Sequence, residues 1–300
     1  MRTTDAFSRA TVGVLETADG AWRYAVKTPR PPCNRWIAKL WELDGACPPA
    51  CERELPRADI SLIVNLAGRH AVVDHDDPGA IRMFKDAWVS GLQERAFVTA
   101  SGGRAWLCGA RLTVEGAYRV FGVAPQQLAN RIVDLDAIHG GAAHSVVDAI
   151  RNAVSVETRL TILGDYLVAQ AMRTCRWDAS VAWALERIAR SEGCTTVAGV
   201  AGEIGWSRKH LHRRFLAQVG VGPKTCVRLL RFHAALGALE NVREESLAAA
   251  AQRLGYFDQA HLAREFHLIA GMTITDYRRA RAFAVDYGFA RQNASHSSKT

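Results

Sequence analysis

Between Ser207 and Val219 the chain carries Arg208, Lys209, Arg213 and Arg214, with His210 and His212, and no acidic residue. If this segment is a helix with Leu211 and Phe215 turned inward at i and i+4, Lys209 and Arg213 lie nearly opposite Leu211. His212 then lies beside them, and Arg208 and Arg214 flank. A helix face of this kind suits the major groove of a duplex: Arg and Lys donate to guanine O6 and N7, and the remaining cations hold phosphates. A merely solvated face ordinarily mixes both signs.

A second segment near the C-terminus repeats the pattern. Opposite Leu262 lie Ala260 and Arg264, with Ala263 alongside and Gln259 on the flank. Gln259, His261 and Arg264 can reach far, and the alanines allow close approach and contact with thymine methyls. Base discrimination is therefore expected to rest more on the first segment, with the second positioning the protein and adding one or two contacts.

The two segments belong to a duplicated unit. Thr196-Val197-Ala198 is answered by Ser246-Leu247-Ala248, Val200-Ala201 by Ala250-Ala251, and Ile204-Gly205-Trp206 by Leu254-Gly255-Tyr256. One extra residue, Phe257, follows; then Ser207 answers to Asp258, Leu211 to Leu262, Arg213 to Arg264 and Phe215 to Phe266. A period of this length marks two copies of one supersecondary unit. In each copy a short helix starts at an N-cap residue (Thr196, Ser246), ends at a glycine suited to a left-handed turn (Gly205, Gly255), and gives way to a second capped helix (Ser207, Asp258). That is a helix-turn-helix. The bland alternative is a pair of ordinary helical hairpins. Between the copies, Pro223 to Leu239 reads as one helix with proline at its start. Val227, Leu230, Ala234 and Leu239 are expected to bury it, and Arg228 and Arg231 to add positive charge. Such a spacer would hold the two readers at a fixed separation, close to one turn of B-DNA, about 34 Å.

Several fixed spacings together resemble the DNA-binding domain of the AraC/XylS family of transcription regulators over residues 178–281. Ser207-x3-Leu211-x-Arg213-x-Phe215 followed by Gly220-x2-Pro223 matches the family's first half, and Arg231-Phe232-x2-Ala235-x3-Leu239 its linker helix. Gly255-Tyr256-x-Asp258-x2-His261-Leu262-x-Arg264-x-Phe266-His267, then Gly271-x-Thr273-Ile274-x2-Tyr277-Arg278, matches the second half. Ile274 stands where proline is usual, Leu262 where Phe is usual and His267 where Lys is usual. The resemblance implies DNA contacts at Lys209, His212, Arg213, Gln259, Ala260 and Arg264; the residues themselves add Arg208 and His261. It also implies double-stranded operator or promoter DNA as partner, with a small effector, RNA polymerase and a second copy of the chain as further expected partners.

The N-terminal half is written in another texture. Ile60–Leu66 is a short run rich in β-branched residues, followed by Ala67-Gly68 and His70–Asp74, which suggests a hairpin. Trp36 to Leu43 alternates, Arg104 to Val114 looks like strand, glycine, strand, and Asp76-Asp77-Pro78-Gly79 and Ser101-Gly102-Gly103 are turn clusters. Short strands at regular spacing suggest a barrel or sandwich. Leu62–Leu66, the strand regions at Gly91 and Gly109, and Arg131–Leu135 resemble the cupin-like sensor region of some family members. From His144 a helical rhythm begins (Val146, Ile150, Val154, Val156) and continues through Leu160, Leu163, Leu167 and Ala171. The expected fold is thus α+β: a β-barrel sensor over residues 1–135, a helical linker or dimerisation segment over 136–177, an all-α domain of two helix-turn-helix units over 178–281, and a disordered polar tail over 285–300.

Composition narrows the function further. The 300 residues are 49% apolar and 23% charged, enough for real cores. Residues 1–176 balance at +2 and residues 177–300 at +6, so the basic excess of this +8 chain sits where the duplicated unit lies. No run of 18 apolar residues occurs and the first ten residues hold no apolar leader core, so neither a membrane span nor a secretory signal is expected. Seven scattered cysteines read as reduced thiols in a cytoplasm. Cys47 and Cys51, with Cys33 near them, are the best candidates for a metal or redox role, but no second pair follows at zinc spacing, and surface-loop thiols are the default. His70 and His75 would point to opposite faces of a strand. Trp22, Trp36, Trp41, Trp88 and Trp106 crowd the first half; some could line an apolar effector pocket, each being a core residue otherwise. There is no Gly-rich phosphate loop and no Gly-x-Ser-x-Gly elbow, so no cofactor, metal or catalytic residue is assigned. The reading is a regulator rather than an enzyme. Its rivals are a metal-dependent cupin enzyme with a DNA-binding control domain, and an effector-independent architectural DNA binder.

Overall fold

The computed structural model describes residues 6–17, 20–73, 81–173, 177–240 and 246–283, with backbone alone at 15–17, 20, 47–51, 240 and 280–283. The N-terminal half is an antiparallel sheet of eight strands: β1 (Thr11–Thr17), β2 (Gly20–Lys27), β3 (Ile37–Glu54), β4 (Ile60–Val73), β5 (Ile81–Phe84), β6 (Ala87–Ser90), β7 (Phe97–Leu112) and β8 (Ile132–Asp134). Their order is β1-β2-β3-β7-β4-β6-β8, with β5 on β4. The sheet curls like a cupin but does not close, because β1 and β8 pair with nothing at their outer edges among the described residues.

Alternation along the strands separates two faces. Lys39, Trp41 and Leu43 of β3, Ser61 and Ile63 of β4, and Leu107 and Arg111 of β7 face an internal cavity. Leu40, Leu62, Val64, Cys108, Ala110 and Leu112 face the other way and are buried. Four helices follow in this half: α1 (Val114–Phe121), α2 (Asp136–His139), α3 (Gly141–Asn152) and α4 (Val156–Ala171). Leu160, Leu163, Leu167 and Ala171 of α4 have no solvent exposure. The stripe expected to serve as a linker or dimer seam is spent on the sheet instead.

Several sequence expectations are corrected here. The hairpin around Ala67-Gly68 does not form; β4 runs 14 residues through it, absorbing the glycine as register shifts between Asn65 and Arg69 against β7. The turn at Ser101-Gly102-Gly103 lies inside the 16-residue β7, opposite an irregularity between Cys47 and Ala50, and Gly109 does not interrupt that strand. Val154 is 97% exposed between α3 and α4 rather than part of a helical stripe. The turn cluster at 76–79, His75 and the tail 285–300 lie outside the described residues. Cys33 is buried in a short 3-10 turn, and Cys47 and Cys51 fall within β3, so the surface-loop assignment does not hold for these three.

A buried ion pair ties α4 to the sheet. Arg159 donates to both carboxylate oxygens of Glu42 at 2.8 and 2.7 Å and to the Ala153 carbonyl at 2.9 Å. Trp106 Nε1 donates to Glu42 Oε1 at 3.0 Å, and the guanidinium lies 5.0 Å from that indole ring. The guanidinium's bonds to Glu42, against the cost of burial, raise its already high pKa, so Arg159 stays charged.

The C-terminal half is helical: α5 (Ala179–Arg190), α6 (Val197–Glu203), α7 (Arg208–Val219), α8 (Pro223–Glu240), α9 (Leu247–Arg253), α10 (Gln259–Ala270) and α11 (Ile274–Phe283). Buried residues of the sheet, of its helices and of the first helix-turn-helix form one contiguous core. The second unit forms a core of its own around Phe232, Leu262, Phe266 and Tyr277, which Leu55 of the sheet half joins from outside.

Arg159→Ala would leave the Glu42 carboxylate buried without its partner. It should lower the unfolding free energy by about 3–5 kcal/mol in urea titrations, while Arg159→Met with Glu42→Leu should recover much of the loss.

Candidate nucleic-acid interface

Each helix of the duplicated unit begins at the side chain its sequence provides. Thr196 Oγ1 accepts from the Gly199 amide, Ser207 Oγ from His210, Ser246 Oγ from Ala249 and Asp258 Oδ1 from His261, at 2.6–3.2 Å. The turns between paired helices pass through Gly205 and Gly255 at φ of 70° and 74°, a conformation that disfavours any side chain. Leu211, Phe215, Leu262 and Phe266 are at most 1% exposed. With the helices pinned by these anchors, α7 presents Arg208, Lys209, His212 and Arg213 to solvent, and α10 presents Gln259, Ala260 and Arg264. Arg208, Lys209, Arg213 and Arg264 pair with no carboxylate among the described residues. Arg213 Nη2 does lie 3.4 Å from His210 Nδ1.

Other cations of the region have structural posts. Arg214 bonds Asp178, the N-cap of α5, at 2.5 and 3.1 Å. Arg231 donates to the Gly193 carbonyl at 2.9 Å and lies over the Tyr256 ring at 5.3 Å, and Arg228 approaches Glu265 at 3.8 Å. The positive charge expected of Arg228 and Arg231 is thus partly buried, lacing α8 to both units. In α8, Leu230 and Ala234 are half-buried, while Leu229, Phe232 and Ala235 join Val227 and Leu239 in the core.

One feature of both units escaped sequence reasoning. Trp206 meets His210 edge-on with ring centroids 4.5 Å apart, and Tyr256 meets His261 in the same way at 5.3 Å. The aligned repeat contains both pairs, and the histidine in each copy, one residue before the Leu anchor, was the available signal. His261, expected to reach outward, is half-buried, and its Nδ1 accepts from the Phe257 amide at 3.3 Å.

α7 and α10 both dock their C-terminal ends on the sheet half. Val219 closes α7 over a crevice formed by Ile60, Val114, Ala117 and Leu128. A Cβ on the next residue, Gly220 (φ 88°), would come within 2.7 Å of the Pro125 carbonyl oxygen. At the end of α10 the Ile269 carbonyl accepts from the Ala96 amide at 2.7 Å.

The sheet encloses a cavity of about 410 Å³. Of the five tryptophans singled out by sequence, Trp22, Trp41 and Trp88 line it. Trp106 is on the opposite face with Glu42, and Trp36 packs beneath Arg119, 5.4 Å from ring to guanidinium. Charged residues unforeseen from the sequence line the same cavity: Lys39, Glu54, Arg57, Asp59 and Arg111. Asp59 lies 3.5 Å from Arg57 and 3.4 Å from Arg111. Burial, then the fields of Arg111 and Arg57, bring the Lys39 ammonium down to about 8, and burial brings Arg111 to about 10. His233 of α8 sits against this charged end, bonded to the Pro56 carbonyl. Burial first, and then Arg57, hold its imidazole down at about 4.

A curled antiparallel sheet around a cavity, joined to two helix-turn-helix units of which the first exposes a cationic face, defines a two-part DNA-binding regulator. Residues 200–280 match the family described as a helix-turn-helix domain, and residues 26–134 match a domain of unknown function, DUF6597. The C-terminal domain is an AraC-type helix-turn-helix domain, and the chain is a DNA-binding transcription regulator. No curated protein matches it. Among solved structures it is similar to ToxT from Vibrio cholerae O395, at 10% identity over 79% of this chain and 95% of that one, TM-score 0.44. It is also similar to the C-terminal domain of AraT, a response regulator from Geobacillus stearothermophilus, at 24% identity over 38% and 93%, TM-score 0.34. The DNA-binding domain of the global transcriptional factor AdpA, solved with a target DNA, gives 30% identity over 34% and 90%, TM-score 0.29. No helix among the described residues is long and apolar enough to cross a membrane.

Because His233 is held neutral in the folded protein (about 4) but titrates near 6.5 when unfolded, the unfolded chain binds more protons between those values. Stability should therefore fall as pH drops from 6.5 towards 4. His233→Asn should flatten that part of a thermal-melt profile recorded against pH.

Proposed function

We propose that α7 enters the major groove with Lys209, His212 and Arg213 on base edges and Arg208 on phosphate, and that α10 adds Gln259, Ala260 and Arg264 at an adjacent site on the same DNA face. The observation that carries this is the exposure of one unpaired cationic face on a helix whose opposite side is sealed by Leu211 and Phe215. In this reading the domains divide as a sheet half (1–135), its helices (136–177) and the DNA-binding half (178–281). RNA polymerase is affected through where the site lies in a promoter. A homodimer would need a surface other than the α4 stripe.

The cavity is the effector site in this reading. Its walls are aromatic (Trp22, Trp41, Phe84, Trp88, Phe97), and the cations Lys39, Arg57 and Arg111 share it with Asp59, Glu54 and Glu52. Lys39 is depressed first by burial and then by the fields of Arg111 and Arg57; an incoming anion offsets that second cause, which favours a small organic acid with an apolar body. That charged end touches α8 through His233, so occupancy and the seating of the DNA-binding half are coupled.

Arg213→Ala should lose about 1–3 kcal/mol of discrimination at one base position with little change on random DNA. Equal weakening on both would make Arg213 a phosphate contact. In differential scanning fluorimetry, aromatic or medium-chain carboxylates should raise the melting temperature where the matching amides and amines do not, and Lys39→Met should remove the shift. No shift with any of them would remove the cavity from the mechanism.

A further inference from the structure

The residue that breaks the match between the two units, Phe257, is 88% exposed. It sits immediately before Asp258, the N-cap of α10, at the tip where a recognition helix meets base edges. Its neighbour Tyr256 turns inward, 4% exposed and edge-on to His261. Its own amide donates to His261 Nδ1, so the turn is fixed with the phenyl ring outward.

The surroundings of that ring differ from those at the tip of α7. In the aligned repeat, Arg208, Lys209 and His212 of the first unit become Gln259, Ala260 and Ala263 in the second, and only Arg264 keeps its charge. The tip of α10 is therefore an exposed phenyl ring beside the exposed methyl of Ala260, with little charge to draw it to phosphates. The apolar feature of a major groove is the thymine C5 methyl.

We propose that Phe257 is a specificity-determining residue that seats its ring on a thymine C5 methyl at the edge of the site read by α10. The extra residue gives the second unit an apolar contact where the first relies on cations. The proposal rests on α10 lying in the major groove.

The test uses the full-length protein and a duplex selected from a random library by the wild-type chain. Each thymine of the selected site is replaced in turn by 2′-deoxyuridine, which lacks only the methyl group. Wild type should lose about fourfold in affinity at one thymine, the worth of one buried methyl group. Phe257→Ala should bind the thymine duplex correspondingly more weakly and be indifferent to uracil there, while Arg264→Ala keeps the wild-type sensitivity. Because the ring is exposed, Phe257→Ala leaves the fold intact, which an unchanged melting temperature verifies. Wild type indifferent to uracil at every thymine would overturn the proposal, whatever Phe257→Ala does. If Gln259→Ala and Arg264→Ala weaken binding while Phe257→Ala does not, α10 is a reader and the proposal alone falls. If all three bind as wild type, α10 is not in the groove and both readings fall.

Discussion

The arrangement depends on where the two recognition helices are held. Each is fixed to the sheet half at its C-terminal end, α7 through Val219 and Gly220 against the 114–128 region, and α10 through the Ala96–Ile269 hydrogen bond. A helix gripped at one end and exposed at the other can present side chains at a defined angle without surrendering its free tip. Two such helices on one support have a relative orientation set by that support as well as by α8. The sheet half thus helps to set how α7 and α10 are presented, beyond housing a cavity.

The two units share a backbone and differ in chemistry. Both are capped at the same positions, by Thr196 and Ser207 or by Ser246 and Asp258, and share the left-handed glycine turn and the aromatic-histidine edge contact. On that common frame α7 carries a cluster of cations and α10 carries amide and methyl groups with one arginine. Cations contribute affinity that salt weakens, whereas apolar and amide contacts contribute discrimination that salt hardly touches. If both helices lie in the groove as proposed, the duplicated frame gives one molecule both kinds of contact.

The C-terminal half was legible in the sequence because its signals are local. Thr196, Ser207, Ser246 and Asp258 each cap a helix within three residues, and the repeat supplied a second, independent copy of every inference. The sheet half was less legible because its determinants are distant in sequence. Glycines at 68, 103 and 109 announce turns locally, but the long strands β4 and β7 override them once paired to each other and, for β7, to β3. Trp106 could not be separated from Trp41 by composition, since its partner, Glu42, lies 64 residues away. The charged end of the cavity was missed for the same reason: Lys39 and Arg111 come from two strands and Asp59 from the segment between β3 and β4, and they meet only when the sheet assembles.

The Glu42–Arg159 pair bears on how a signal could travel. It fastens α4 to the sheet by two hydrogen bonds to Glu42, with a third from Arg159 to the Ala153 carbonyl ahead of the helix, and both groups are shielded from water. The back of the sheet therefore acts as a fixed chassis. If the cavity takes the effector proposed above, the segment from Leu55 to Asp59, which borders α8 through Leu55 and Pro56, is the route by which occupancy would reach the DNA-binding half, and sequence drift there would tune the response.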